Sequence, residues 1–124
     1  MVAVAARLPA WAEQACAEYA RRMPRGYEVE RISVKKVPPK REAWIALDER
    51  GRDLNTAQFA ALLGSDATFV IGGADGLPQQ VRQDARLVLR ISSLTLPHAL
   101  AQVVLLEQLY RAATILTGHP YHRA

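Results

Sequence analysis

Thr68-Phe69-Val70-Ile71-Gly72-Gly73-Ala74-Asp75-Gly76 is the stretch that decides the fold. Its first four residues are β-branched or aromatic with no polar alternation, so they read as a strand covered on both faces. The run then breaks straight into glycines, as a strand does when it ends in a tight turn or brings its backbone close to a ligand. It is not a dinucleotide fingerprint, because the three-glycine spacing fails. Nor is it a phosphate-binding P-loop, because no Lys-Ser/Thr pair follows.

Working outward, Val2–Ala5 and Ala43–Leu47 have the same uninterrupted apolar character, and Arg86–Ile91 reads as the last strand. Tyr27–Val34 alternates as a half-buried strand. Between these lie helical patterns. Pro9 opens a helix over about residues 10–22, with Ala12, Cys16, Tyr19 and Met23 on one face, stopped by Pro24 and Gly26. Asn55 or Thr56 caps a second helix to about Leu63, closed by Gly64. Leu77-Pro78 starts a short third, and a long fourth covers about 97–117, with Pro97 in its first turn and Gly118 after its end. Buried strands separated by helices predict one α/β domain over residues 1–124, its sheet mostly parallel and covered on both faces. In such sheets ligands collect at the carboxyl ends of strands. Three polar or glycine-rich loops follow strands here, Asp48–Gly51, Gly72–Gly76 and Ser92–Leu96, and adjacent strands would bring them to one site.

Composition narrows the class. At 124 residues, half of them hydrophobic and 23% charged, the chain is a globular domain. The net charge of +4 is unevenly spread. Nine Lys/Arg face four Asp/Glu in residues 1–41, three face seven in 42–84, and four face one in 85–124. Basic ends around an acidic middle are compatible with a polyanion, although charge alone reads first as a solvated surface. The single Cys16 cannot form an internal disulfide and fits a reducing cytosol. No signal peptide is legible at the N-terminus. The last helix carries Gln102, Glu107, Gln108 and Arg111, which argue against a membrane span.

Several side chains have competing readings. His119 and His122 lack a nearby Cys or carboxylate to complete a metal site, so no metal is expected. His98, at a helix start, reads as a hydrogen-bonded structural histidine, and Trp11, Tyr19 and Trp44 read as core. The long helix is apolar almost all round, through Leu100, Val103, Val104, Leu105, Leu106, Leu109, Ala112, Ala113, Ile115 and Leu116. A small domain has too little chain to bury every side of such a helix, so a two-fold homodimer is expected.

Five segments carry a resemblance. Leu47-Asp48-Glu49-Arg50-Gly51, Ile71–Gly76, Ser93-Leu94-Thr95-Leu96-Pro97-His98, Glu107-Gln108-Leu109-Tyr110-Arg111-Ala112 and His119-Pro120-Tyr121-His122-Arg123 resemble, in order, a bacterial family. It is that of the 23S ribosomal RNA pseudouridine N3-methyltransferases of the SPOUT superfamily. Val2–Val4, Pro9–Trp11 and Glu18-Tyr19 are similar to the family's opening strand and helix. The resemblance implies an α/β sandwich with a C-terminal trefoil knot, a feature that general rules of chain topology alone exclude as rare. It also implies a cytoplasmic homodimer that uses S-adenosyl-L-methionine to methylate a pseudouridine in 23S rRNA of the assembled ribosome. By motif, Leu47, Gly72, Ile91, Ser92, Ser93, Leu94, Thr95 and Leu96 would hold the cofactor. Tyr121, His122 and Arg123 would complete the RNA side beside the partner subunit's cofactor. Proton handling falls to His122, phosphate contact or anion stabilisation to Arg123, and packing on the base to Tyr121. Two departures stand out. Ala6 occupies a position where the family usually has glycine, and the stretch between Val34 and Trp44 is shorter than the family's basic segment and extra helix. The resemblance leaves two alternatives: a related knotted enzyme acting on another RNA such as tRNA, or a non-catalytic RNA-binding homologue.

Overall fold

The computed structural model describes residues 1–35, 44–64 and 66–122, the His122 side chain excepted. The basic stretch Lys35–Arg41, which carries Pro38 and Pro39, reads as a stiffened linker and lies, beyond Lys35, outside the described residues, as does Arg123.

Among the described residues five strands form one sheet: β1 (Val2–Ala5), β2 (Glu30–Ser33), β3 (Ile45–Arg52), β4 (Thr68–Ile71) and β5 (Leu87–Leu89). Their spatial order is β2-β1-β4-β3-β5, and every neighbouring pair is parallel. The register explains the uninterrupted apolar runs. Val4, Val70, Ala46 and Val88 lie side by side across four strands, and the next row is Ala5, Ile71, Leu47 and Leu89. Successive rows face opposite sides, so both faces need apolar side chains.

The helices divide between those faces. On one side α1 (Ala10–Arg21), α2 (Thr56–Ala60) and α4 (His98–Thr117) cover the larger core, where Cys16, Phe59, Leu105, Leu106 and Leu109 meet Ile45, Leu47, Phe69 and Ile71. On the other, α3 (Gln79–Asp84) places Val81 with Leu77 over Val4, Ala46 and Val70, and half-buried Trp44 packs beside them. By length and composition alone α4 could cross a membrane, yet it packs against α1 and α2 as the main helix of the core.

Local chemistry sets the element ends. Asn55, not Thr56, caps α2: its side chain accepts from the Gln58 amide, while the Gln58 side chain accepts from the Asn55 amide. Gly118 ends α4 at φ 76°, in the left-handed conformation that lets it close the last turn.

Four expectations need correction. α2 stops at Ala60, short of Leu63, and β2 and β5 are shorter than their apolar patterns. Asp48–Gly51 is not a loop beyond β3 but a bulge within it: Leu47 and Arg52 both pair with Leu89, so four residues are looped out between them. Gly51 permits this, since a Cβ there would lie 2.4 Å from the Leu89 carbonyl carbon. Trp11, read as core, is 55% exposed, because the buried face of α1 passes through Ala12 and Cys16 one residue away. Burial also pushes the Cys16 thiol up from its ordinary range, as an apolar cage does to any group that must charge.

Candidate cofactor and RNA site

Because all strands run the same way, their carboxyl ends lie along one edge of the sheet. There the β3 bulge, the glycine loop after β4 and the segment after β5 meet around a cavity of about 550 Å3. Its apolar floor is Leu47, Ile71, Ile91, Leu96 and Ala101, and its rim carries Asp48, Glu49, Arg50, Asp75, Arg82, Arg90 and His98.

Each wall has a local cause. In the glycine loop the Gly76 amide donates to the Gly73 carbonyl at 2.9 Å, and Gly76 has φ 76°. Gly72 lies so close beneath the turn that a Cβ would stand 2.3 Å from the Gly76 carbonyl carbon. The turn thus requires glycine at 72 and 76 for its own closure, and the same closure lays bare backbone against the cavity. In the last wall the Ser92 hydroxyl accepts from the Leu94 amide at 2.9 Å, folding the segment tightly before Pro97 starts α4.

Arginines hold the walls together. Arg82 of α3 donates to the Leu77 carbonyl at 2.6 Å and lies 3.7 Å from the Asp48 carboxylate, tying the bulge to the glycine loop. Arg90 makes a forked ion pair with Asp53, and this pairing lowers the Asp53 pKa. Buried Gln102 donates to the Ala6 carbonyl at 3.1 Å, fixing the start of α4 to the end of β1.

Of the residues that sequence assigned to the cofactor, Leu47, Gly72, Ile91, Ser92, Leu94, Thr95 and Leu96 line this cavity. Ser93 does not line it and is exposed. Asp48, Glu49, Arg50, Arg82, Arg90 and His98 were not singled out as ligand contacts. The strand-end position of the bulge was a usable signal for the first three, but nothing in the local pattern marks Arg82. His98 also differs from its reading: its side chain makes no hydrogen bond among the described residues, and it lines the cavity instead. Those residues contain no cluster of three or more metal-ligating side chains.

The tail lies elsewhere on the same chain. Pro120–His122 form a single 3-10 turn after α4. Tyr121 folds back so that its hydroxyl donates to Glu107 Oε2 at 2.9 Å, while its ring packs on Tyr110 at 4.5 Å and under Arg111 at 5.0 Å. Partial burial and the adjacent carboxylate push the Tyr121 phenol up to about 12. Glu107 is nine residues along α4 from His98, so Tyr121 sits about 14 Å along the helix axis from the cavity mouth. No described tail residue lines the cavity.

Comparison with known proteins agrees with this arrangement. Residues 1–122 match the family described as "Predicted SPOUT methyltransferase". The protein named Ribosomal RNA large subunit methyltransferase H in Polynucleobacter asymbioticus is 44% identical, with 99% of this chain and 97% of that protein aligned. Proteins of the same name in Herminiimonas arsenicoxydans and Burkholderia thailandensis are 42% and 43% identical, with 97% of each covered. The Burkholderia alignment spans 152 positions, and this 124-residue chain leaves at least 28 of them empty. A solved structure titled as a putative RNA methyltransferase from Bacillus anthracis superposes with a TM-score of 0.59 over 97% of this chain and 95% of that one; at 15% identity it bears on the fold alone. The chain belongs to the SPOUT methyltransferase family.

Proposed function

We propose that this protein transfers a methyl group from S-adenosyl-L-methionine to N3 of a pseudouridine in 23S rRNA, acting as a cytoplasmic homodimer on the large ribosomal subunit. The single observation that carries the reading is the strand-edge cavity, framed by the segments that sequence singled out, in a chain of this family.

The cavity fits the cofactor. Its volume falls within the roughly 300–1,000 Å3 of small-molecule sites. The apolar floor suits a purine ring, and the bare backbone of Gly72 and of Ile91–Leu96 suits its polar edge. Carboxylates Asp48, Glu49 and Asp75 at the rim suit a cation. When bound, the cofactor supplies a methyl group already activated on a sulfonium, so the protein's own work is alignment and removal of the N3 proton. We assign the proton to His122, stabilisation of the ring anion or a phosphate to Arg123, and packing on the base to Tyr121. Since Tyr121 is held away from its own chain's cavity, the tail would serve the cavity of a second copy. Exposed Trp11 on α1 and Leu100 and Leu116 on α4 leave apolar surface for that contact. The trefoil threading of the family belongs to the same reading.

The test is nucleoside analysis of ribosomes incubated with the protein and methyl-labelled S-adenosylmethionine. N3-methylpseudouridine in 23S rRNA is the expected product; label in tRNA would move the substrate to another RNA. His122→Ala should lower turnover while leaving cofactor affinity unchanged, and equal loss of both would remove its assigned role. A second reading, a non-catalytic RNA-binding homologue, draws on the missing 28 aligned positions. It predicts RNA binding without cofactor affinity.

A further inference from the structure

A second cavity, of about 630 Å3, lies beside the first along the same sheet edge. The first sits over the ends of β4, β3 and β5, and this one over the ends of β2, β1 and β4, where Ala6, Val34 and Lys35 form its far side. The glycine loop after β4 is the wall between them. Asp75 and His98 are the residues with titratable groups that line both cavities, and neither side chain makes a hydrogen bond or ion pair among the described residues.

We propose that this second cavity receives the target base, with Asp75 on the dividing wall reading the ring N–H that distinguishes pseudouridine from uridine. The inference rests on the methyltransferase reading above and adds a place and a discriminating group to it.

A methyl acceptor must reach the donor from an adjoining space, and the second cavity adjoins the first across a single loop. Its wall is apolar at Ala6, Val34 and Leu77, as a flat ring requires, and cationic at Lys35, where a nucleotide's phosphate would project. Uridine joins its sugar through N1 and keeps one ring N–H. Pseudouridine joins through carbon and keeps two, N1–H and N3–H, flanking one carbonyl. A ring that turns N3 toward the first cavity therefore holds N1–H close to the same wall. An ionised carboxylate only accepts hydrogen bonds, so Asp75 rewards the additional donor and gains nothing from its absence. His98, which can donate or accept, suits the carbonyl between the two nitrogens.

The experiment compares methylation of ribosomes carrying pseudouridine or uridine at the target position, with calorimetric titration of S-adenosylmethionine in parallel. Asp75→Ala should lower kcat/KM on pseudouridine by roughly tenfold or more, the loss of one charge-assisted hydrogen bond, and shrink the preference over uridine. Cofactor affinity should fall by a much smaller factor, since Asp48 and Glu49 remain at the first cavity's rim. Asp75→Asn, which keeps one acceptor oxygen, should restore part of the preference. Ala6→Leu, at a position that lines only the second cavity, should raise KM for ribosomes without weakening the cofactor, and Val34→Phe, just beyond the end of β2, does the same should Ala6→Leu fail to fold. Wild-type methylation with an undiminished preference in Asp75→Ala would overturn the inference alone. Wild-type protein that neither binds cofactor nor methylates ribosomes would overturn the functional reading and the inference with it.

Discussion

Tyr121 shows how one side chain anchors a segment. Its hydroxyl donates to Glu107, and its ring fills a notch between Tyr110 and Arg111. Removing the hydroxyl in Tyr121→Phe should cost about 1 kcal/mol in urea unfolding, a usual loss for a partly buried hydrogen bond. The effect should depend on pH. The folded-state pKa is raised from 10.0 to about 12, so the native state holds its proton where the unfolded chain has lost it. The stabilisation is complete below pH 10 and declines as pH rises toward 12. The gap between wild type and Tyr121→Phe should therefore narrow across that window in a series of unfolding midpoints; a constant gap would remove the Glu107 contact from the account. At this scale the sequence was partly legible. Small and glycine positions such as Gly72 and Ser92 announced themselves, because turns admit few residue types. Arg82 did not, because it reaches the cavity from α3 through tertiary packing that no local pattern records. Trp11 was misread because a one-residue rotation on a helix, 100° of arc, separates core from solvent.

At the scale of elements, the glycine loop after β4 carries the most constraint. A Cβ on Gly72 would meet backbone atoms, which cannot rotate away as a side chain can. Gly72→Ala should therefore lower the melting temperature and abolish S-adenosylmethionine binding together. Unchanged binding in calorimetry would show that the loop can reopen around the extra methyl group. The strands and helices were legible where a period or a cap existed: β4 from its unbroken apolar run, and α4 from Pro97 and Gly118. The β3 bulge was not. Asp48-Glu49-Arg50-Gly51 has the composition of a turn, and only pairing with β5, which lies 35 or more residues onward, pulls the chain back into the sheet at Arg52.

For the whole molecule, the arrangement of site and tail makes a prediction about assembly. If each cavity is served by the other copy's tail, two defective chains can repair one another. Thr95→Trp, which fills the first cavity from an exposed position, and His122→Ala should each be inactive as pure proteins. Mixed in equal amounts and allowed to exchange, they should recover about a quarter of wild-type activity, since half the dimers carry one intact pairing. No recovery, with exchange demonstrated by light scattering of tagged mixtures, would place the tail's action within its own chain. Fold class was the most legible property of all, because apolar strands alternating with helices leave few alternatives to a parallel sheet.

α4 has the cavity at its first residue and the tail beyond its last. A continuous twenty-residue helix is a measuring rod, and its length is set in whole residues. Adding one turn would shift the tail by about 5.4 Å, and adding a single residue would swing it by 100° about the axis. Drift in the loops of such a chain can be absorbed by their slack, whereas an insertion or deletion inside α4 changes reach and heading at once. Between Pro97 and Gly118 this protein can vary its letters but not their number.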